Sequence, residues 1–162
     1  MLTSKQIDLP KIPMDLILTY DEILKLPIHP TVDRNGKIYE VDFYKVFVAN
    51  DSLWKWVQET FTTEIENVEY LVAYKPLSIH RDMERTVAFN YVIDLGGSDI
   101  HTEFYNEDRT KLIYSTKYNQ YEWHLLNVDL PHCVVGELTS PRIIISVTPT
   151  YGSIIKNPFK PK

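Results

Sequence analysis

The chain has 162 residues, about the size of one domain, and can bury a sizeable core without disulfides or a structural metal. Its 22 acidic and 17 basic residues give a formal net charge of -5, so no whole-molecule field draws it toward nucleic acid or anionic lipid. The single cysteine, Cys133, excludes an internal disulfide, and neither a signal sequence nor a run of about 20 apolar residues is present; the expectation is a soluble, cytoplasmic protein.

Residues 1–36 carry Pro10, Pro13, Pro27 and Pro30 and read as a wrapping arm with one short helix over 21–26. Asn35-Gly36 marks a turn, and the stretch 37–48, dense in Tyr, Phe and Val, reads as a strand or hairpin arm. Asn50, Asp51 and Ser52 suit a helix N-cap. Leu53, Val57, Phe61 and Ile65 then recur every four residues, which predicts a helix over 52–65 whose Trp54 and Trp56 pack against a sheet.

From Glu69 onward the pattern changes to short β-rich runs: 69–79, 86–94, 100–106, 111–116, 121–128, 132–137 and 142–149. Gly96-Gly97-Ser98-Asp99 and the segment 106–109 supply turns between them. Short strands at this spacing predict a mainly β sandwich or jelly roll, with 69–149 as the core of a single domain. The tail 157–162 reads as frayed.

In Ile79-His80-Arg81-Asp82 an imidazole and a carboxylate stand two residues apart, and in an extended chain that spacing puts both on one face. A second imidazole, His132, follows in Leu130-Pro131-His132-Cys133. Two histidines and one carboxylate form the facial triad of non-haem iron sites, which leaves coordination positions open. Arg142 opens the run Arg142-Ile143-Ile144-Ile145-Ser146-Val147, and alternation puts Arg142, Ile144, Ser146 and Thr148 on one face. An arginine facing inward on such a strand requires an anionic partner, and a dicarboxylate suits it.

His80-x-Asp82, then His132, then Arg142 ten residues on, resembles the Fe(II) and 2-oxoglutarate dependent oxygenase superfamily over about half of the chain. Tyr74-Lys75-Pro76, Ala88-Phe89-Asn90-Tyr91, Thr102-Glu103-Phe104-Tyr105 and the segment 127–132 are similar to its small prolyl-hydroxylase-like and phage-type members. The resemblance implies a double-stranded β-helix (a cupin-like jelly roll) with one or two N-terminal supporting helices and the metal near one mouth. It also implies Fe(II) held by His80, Asp82 and His132, and 2-oxoglutarate as cosubstrate with its C5 carboxylate on Arg142. Many members place Ser or Thr two residues after that arginine. Ile144 stands there in this chain, so a second cosubstrate contact is expected from Tyr74 or Asn90. The implied reaction consumes O2 and hydroxylates an amino-acid side chain or small metabolite, with contacts from the arm and the loops 81–86 and 117–123.

Other readings of the same residues compete. His101 with Glu103, and His124, form a rival metal set without a following basic anchor. His29 reads as structural or solvated, Cys133 as core, and Arg81, Glu84 and Arg85 as a solvated loop, while Tyr118, Tyr121 and Trp123 are candidates for a substrate mouth. Two further function classes stay open: a metal-binding cupin with non-oxidative chemistry (an isomerase or lyase), and a metal-free jelly-roll interaction protein.

Overall fold

Period-two alternation and turn chemistry divide most of this chain into strands. A computed structural model of the protein describes residues 3–32, 35–39, 41–82 and 85–150. In chain order it contains β1 (Ser4–Ile7), a 3-10 turn (Met14–Leu16), α1 (Tyr20–Ile23), β2 (Thr31–Val32), β3 (Ile38–Tyr39), β4 (Tyr44–Val48), α2 (Asp51–Thr60) and β5 (Ile65–Ala73). Then follow β6 (Val87–Asp94), β7 (His101–Tyr105), β8 (Leu112–Thr116), β9 (Trp123–Asn127), β10 (His132–Val135) and β11 (Arg142–Pro149). The tail 157–162 and Glu84 lie outside the described residues. Among those described, no helix is long and apolar enough to cross a membrane.

All strand pairings are antiparallel. The larger sheet runs β1-β9-β6-β11-β5-β4 and the smaller β10-β7-β8, while β2 and β3 pair with each other. A backbone bridge between His80 and His132 adds the segment around His80 as a fourth position beside β10. Two antiparallel layers in this order form the predicted jelly roll.

Two apolar clusters flank the larger sheet. Outward from it, Val68, Tyr70 and Val72 of β5 and Ile143, Ile145 and Val147 of β11 pack with Leu53 and Val57 of α2 and with Phe61, Phe89 and Trp123. Between the layers, Ala88, Val92, Phe104, Leu126, Leu130 and Ile144 form the second cluster. β11 is therefore buried on both faces, which is why its sequence reads as an apolar run broken only by Ser146 and Thr148 after its leading arginine. Trp54 and Trp56 pack against the first cluster, as predicted.

Element ends differ from the sequence reading for local reasons. α1 stops at Ile23, and Lys25 and Leu26 donate to carbonyls three residues back ahead of Pro27, a tightened end suited to the residues before a proline. Its start matches a capping box, in which Glu22 N donates to Thr19 Oγ1 at 3.3 Å and Thr19 N donates to Glu22 Oε2 at 2.7 Å. α2 ends at Thr60 rather than at 65. Phe61 turns extended (φ -82, ψ 142), the β-branched pair Thr62-Thr63 follows, and Ile65 already pairs with Pro149. The four-residue recurrence thus joined a helix face to a strand. Strand β5 ends at Ala73 and not at 79, because Pro76 precedes a segment that joins the other layer. β1 was absent from the sequence reading altogether; it pairs with β9.

Phe61 meets Phe89 and Trp123 edge-on, with centroids 5.3 and 5.4 Å away, and is 1% exposed. Phe61→Ala is expected to cost about 3–5 kcal/mol and Phe61→Leu roughly 1 kcal/mol. Urea unfolding that shows a lowered midpoint at unchanged slope checks this; equal midpoints for all three proteins would contradict the packing.

Candidate metal centre at one mouth of the jelly roll

His80 and His132 are neighbours because their backbones pair. His80 N donates to His132 O and His132 N to His80 O, both at 2.9 Å, while Val134 N donates to Leu77 O and Asp82 N to Val128 O, each at 3.1 Å. Residues directly opposite in an antiparallel pair present side chains to the same face, and Asp82, two positions on, joins them. The imidazole centroids lie 4.4 Å apart. One ligand atom from each of His80, Asp82 and His132 falls within 4.8 Å of the other two.

Each of the three side chains is tied on its far side. His80 Nδ1–H donates to Ser78 O at 2.7 Å and His132 Nδ1–H to Leu130 O at 2.8 Å, in both cases to the carbonyl two residues back. That fixes the tautomer and leaves each Nε2 lone pair facing inward. Asp82 Oδ2 accepts from Arg85 Nε at 2.6 Å, and its Oδ1 stands 3.6 Å from both Nε2 atoms. Ligand atoms about 2.1 Å from one ion are separated by roughly 3.0–3.4 Å, close to the 3.6 Å between Asp82 Oδ1 and each Nε2. The donor set, two neutral imidazoles and a carboxylate on one side, fits Fe(II) or a similar divalent ion and leaves the opposite side open. Burial, and then the neighbouring His80, hold His132 below the ordinary imidazole range, which favours the neutral, ligating form.

Arg85 departs from its reading as part of a solvated loop. Its Nη1 donates to Ser146 Oγ at 2.8 Å and Thr148 Oγ1 at 3.0 Å, so the guanidinium bridges Asp82 to the inward face of β11. Two signals in the sequence pointed to it: a position three residues after Asp82, and two hydroxyls on the same face as Arg142. Arg81 instead forms an ion pair with Glu107.

The residues expected to hold a cosubstrate divide. Arg142 is 3% exposed at the far end of the same inward face. Its Nη1 donates to Leu95 O at 3.3 Å and its guanidinium lies 6.0 Å from the Tyr118 ring centre. Gly96, at φ 80, lets the neighbouring turn pass so close that a Cβ there would stand 3.0 Å from Arg142 Cβ. Burial draws the guanidinium down to about 10. Asn90 also faces inward, its Oδ1 accepting from Ser146 Oγ at 2.7 Å. Tyr74 does not join them: it packs with the outward cluster, and its hydroxyl hydrogen-bonds that of Tyr20 at 2.8 Å.

The remaining candidates stand apart from the triad. His101 hydrogen-bonds Asp99, and Glu103 accepts from Tyr105, on the outer side of the smaller sheet. His124 is buried beside Tyr118 and its Nε2 accepts from Asn119 N. Among the described residues His80, Asp82 and His132 are the metal-capable group. Cys133 is buried, as expected. The loop 117–123 does not provide a mouth at the triad: Tyr118 packs in the inner cluster, while Trp123 and Tyr121 join the outward one and Trp123 Nε1 donates to Pro10 O. A cavity of about 460 Å³ opens on the triad instead from the side of β4 and β5, with His29, Tyr44, Glu69, Leu71, Arg85 and Thr148 among its walls. His29, read as structural or solvated, hydrogen-bonds Glu69 there.

No family model and no curated protein matches the chain. Among solved structures, an oxalate decarboxylase studied for an element that modulates proton-coupled electron transfer aligns with 68% of this chain at 14% identity and a TM-score of 0.44. The chain spans 26% of that protein's length.

Two predictions follow from the geometry. Arg85→Met is expected to weaken divalent-metal binding about 10- to 100-fold by releasing Asp82, and His132→Ala to abolish it, as read by equilibrium dialysis; unchanged affinity in both would remove the triad from consideration. Burial also lowers His124. The unfolded chain therefore binds protons that the folded chain refuses, so with metal chelated, stability is full above about pH 6.5 and falls as pH drops below it, by up to about 1.4 kcal/mol per pH unit for each imidazole. Urea unfolding at several pH values measures the slope, which His124→Gln should reduce.

Proposed function

We propose that this protein is a metal-dependent oxygenase that uses Fe(II) and 2-oxoglutarate. The observation that carries the reading is a tautomer-fixed His80–Asp82–His132 face at the smaller sheet, together with the inward Arg142 guanidinium of the larger one. The ligand set supports iron, and a buried guanidinium without a carboxylate partner among the described residues supports a dianionic cosubstrate. His80, Asp82 and His132 would hold the metal, Arg142 the far carboxylate, and Asn90 the hydroxyl of Ser146 on the wall between. When bound, iron and 2-oxoglutarate supply the oxidation: O2 gives one oxygen atom to the substrate C–H bond and one to succinate, with loss of CO2.

The chain's own residues orient, neutralise and shield. The two backbone carbonyls hold the imidazoles, Arg85 balances Asp82, and the inner apolar cluster fills the space between the layers. Ile144 stands on β11 between Arg142 and Ser146 and packs in the inner cluster, so a cosubstrate spanning the metal and Arg142 would have to lie against it.

That layer favours one alternative. The cavity that opens on the triad is lined by Arg85 and Thr148 and not by Arg142, an arrangement suited to a metal-binding cupin with isomerase or lyase chemistry and no dicarboxylate.

Anaerobic titration of the Fe(II)-loaded protein with 2-oxoglutarate distinguishes the two. The oxygenase reading expects a saturable visible charge-transfer band, lost in His132→Ala and shifted at least tenfold to higher 2-oxoglutarate in Arg142→Met with iron retained. Bound iron without a band overturns it in favour of the non-oxidative enzyme, and absence of metal binding overturns both.

A further inference from the structure

The cavity beside the triad is lined by two chemically different groups. His80, Asp82, Arg85 and the hydroxyl of Thr148 form one and His29, Glu66, Asn67 and Glu69 the other, with Val46, Leu71, Phe43 and Leu77 as apolar wall. The architecture explains the division. Asn67, Glu69 and Leu71 point to the inward face of β5, opposite Thr148, Ser146 and Ile144 of β11, while Tyr44 and Val46 extend that face onto β4. The arm supplies the last wall: Ile28 bridges Phe47 and His29 N donates to Val46 O at 2.8 Å, which sets the His29 imidazole against Glu69.

Charge is unevenly compensated along this cavity. Arg85 gives Nε to Asp82 and Nη1 to two hydroxyls, and Arg81 is paired with Glu107. Both cations thus already have carboxylate partners, although Arg85 also feels Glu69 through space. Glu69 is 9% exposed and its hydrogen-bond partner is the His29 imidazole; among the described residues no lysine or arginine lies within ion-pairing distance of Glu69 or Glu66. The guanidinium that Glu69 feels is already engaged by Asp82, and a buried carboxylate hydrogen-bonded to an imidazole is stabilised further when a second cation joins it.

We propose that this cavity is the primary-substrate site, and that it takes a cationic aliphatic side chain of the lysine or arginine type. The charged tip lies against Glu69 and Glu66, and the methylene stem crosses the apolar wall so that its C–H bonds face the metal. The proposal rests on the metal-centre reading above and deepens it. His29 is a positioning residue: it orients the Glu69 carboxylate and closes the wall. The volume, several times that of one side chain, and the 39% exposed Phe43 at the rim suit entry from a larger molecule as well as from a free amino acid.

Calorimetric titration of the Mn(II)-loaded full chain tests this without turnover. The probes are Nα-acetyl-lysine methylamide, Nα-acetyl-arginine methylamide and the norleucine counterpart, which keeps the stem and lacks the charge, together with free lysine and arginine. At least one cationic probe is expected to bind ten times more tightly than the norleucine compound, and Glu69→Gln, which retains an acceptor for His29, should remove most of that difference. Preference for the capped or the free form assigns the source to a peptide or an amino acid. Equal binding of the norleucine compound, no binding of any cationic probe, or an unchanged preference in Glu69→Gln overturns the proposal. Mn(II) uptake in the same experiment reports separately on the triad, and the charge-transfer titration on 2-oxoglutarate.

Discussion

The burial of β11 on both faces is the constraint from which the rest follows. One set of its side chains, Ile143, Ile145 and Val147, seals the outward cluster, and the other, Arg142, Ile144, Ser146 and Thr148, faces the smaller sheet. Hydrogen-bonded to β5 on one side and β6 on the other, the strand has no freedom to turn its polar residues to water. Their hydrogen bonds must be satisfied inside, and the partners they find are Asn90 and Arg85. The interior polarity of the barrel is thus a column along one strand that leads toward the candidate metal centre.

Arg85 is the point at which this column meets the triad. A carboxylate at the mouth of an apolar barrel is unfavourable alone, and its guanidinium partner would be equally so; together, with two hydroxyls accepting from Nη1, they form a hydrogen-bonded group. Breaking such a pair from one side leaves an uncompensated charge, at a cost of about 3–5 kcal/mol for buried cases and less here, where both side chains keep some contact with water. Stability and metal readiness are consequently linked through one residue.

Much of the fold and of the ligand set was legible because both obey period two. His80 and Asp82 share a face for the same reason that Arg142 and Ser146 do, and the turns at 96–99 and 106–109 mark strand ends through glycine and asparagine chemistry. The features that escaped are those created by contacts between distant residues. Arg85 finds Ser146 and Thr148 only after β6 and β11 pair, and His29 meets Glu69 only when the arm docks on β4. The helix end at Thr60 escaped for a different reason: Ile65 kept the helical spacing while belonging to a strand.

The backbone pair between His80 and His132 has a further consequence. The two imidazoles sit opposite one another at an isolated bridge, and the carboxylate follows two residues on, its backbone N–H held by Val128 O. A displacement of the His80 segment by one residue along β10 would turn both His80 and Asp82 to the opposite face and replace them with Arg81. The two imidazoles of the candidate centre are therefore placed or lost together.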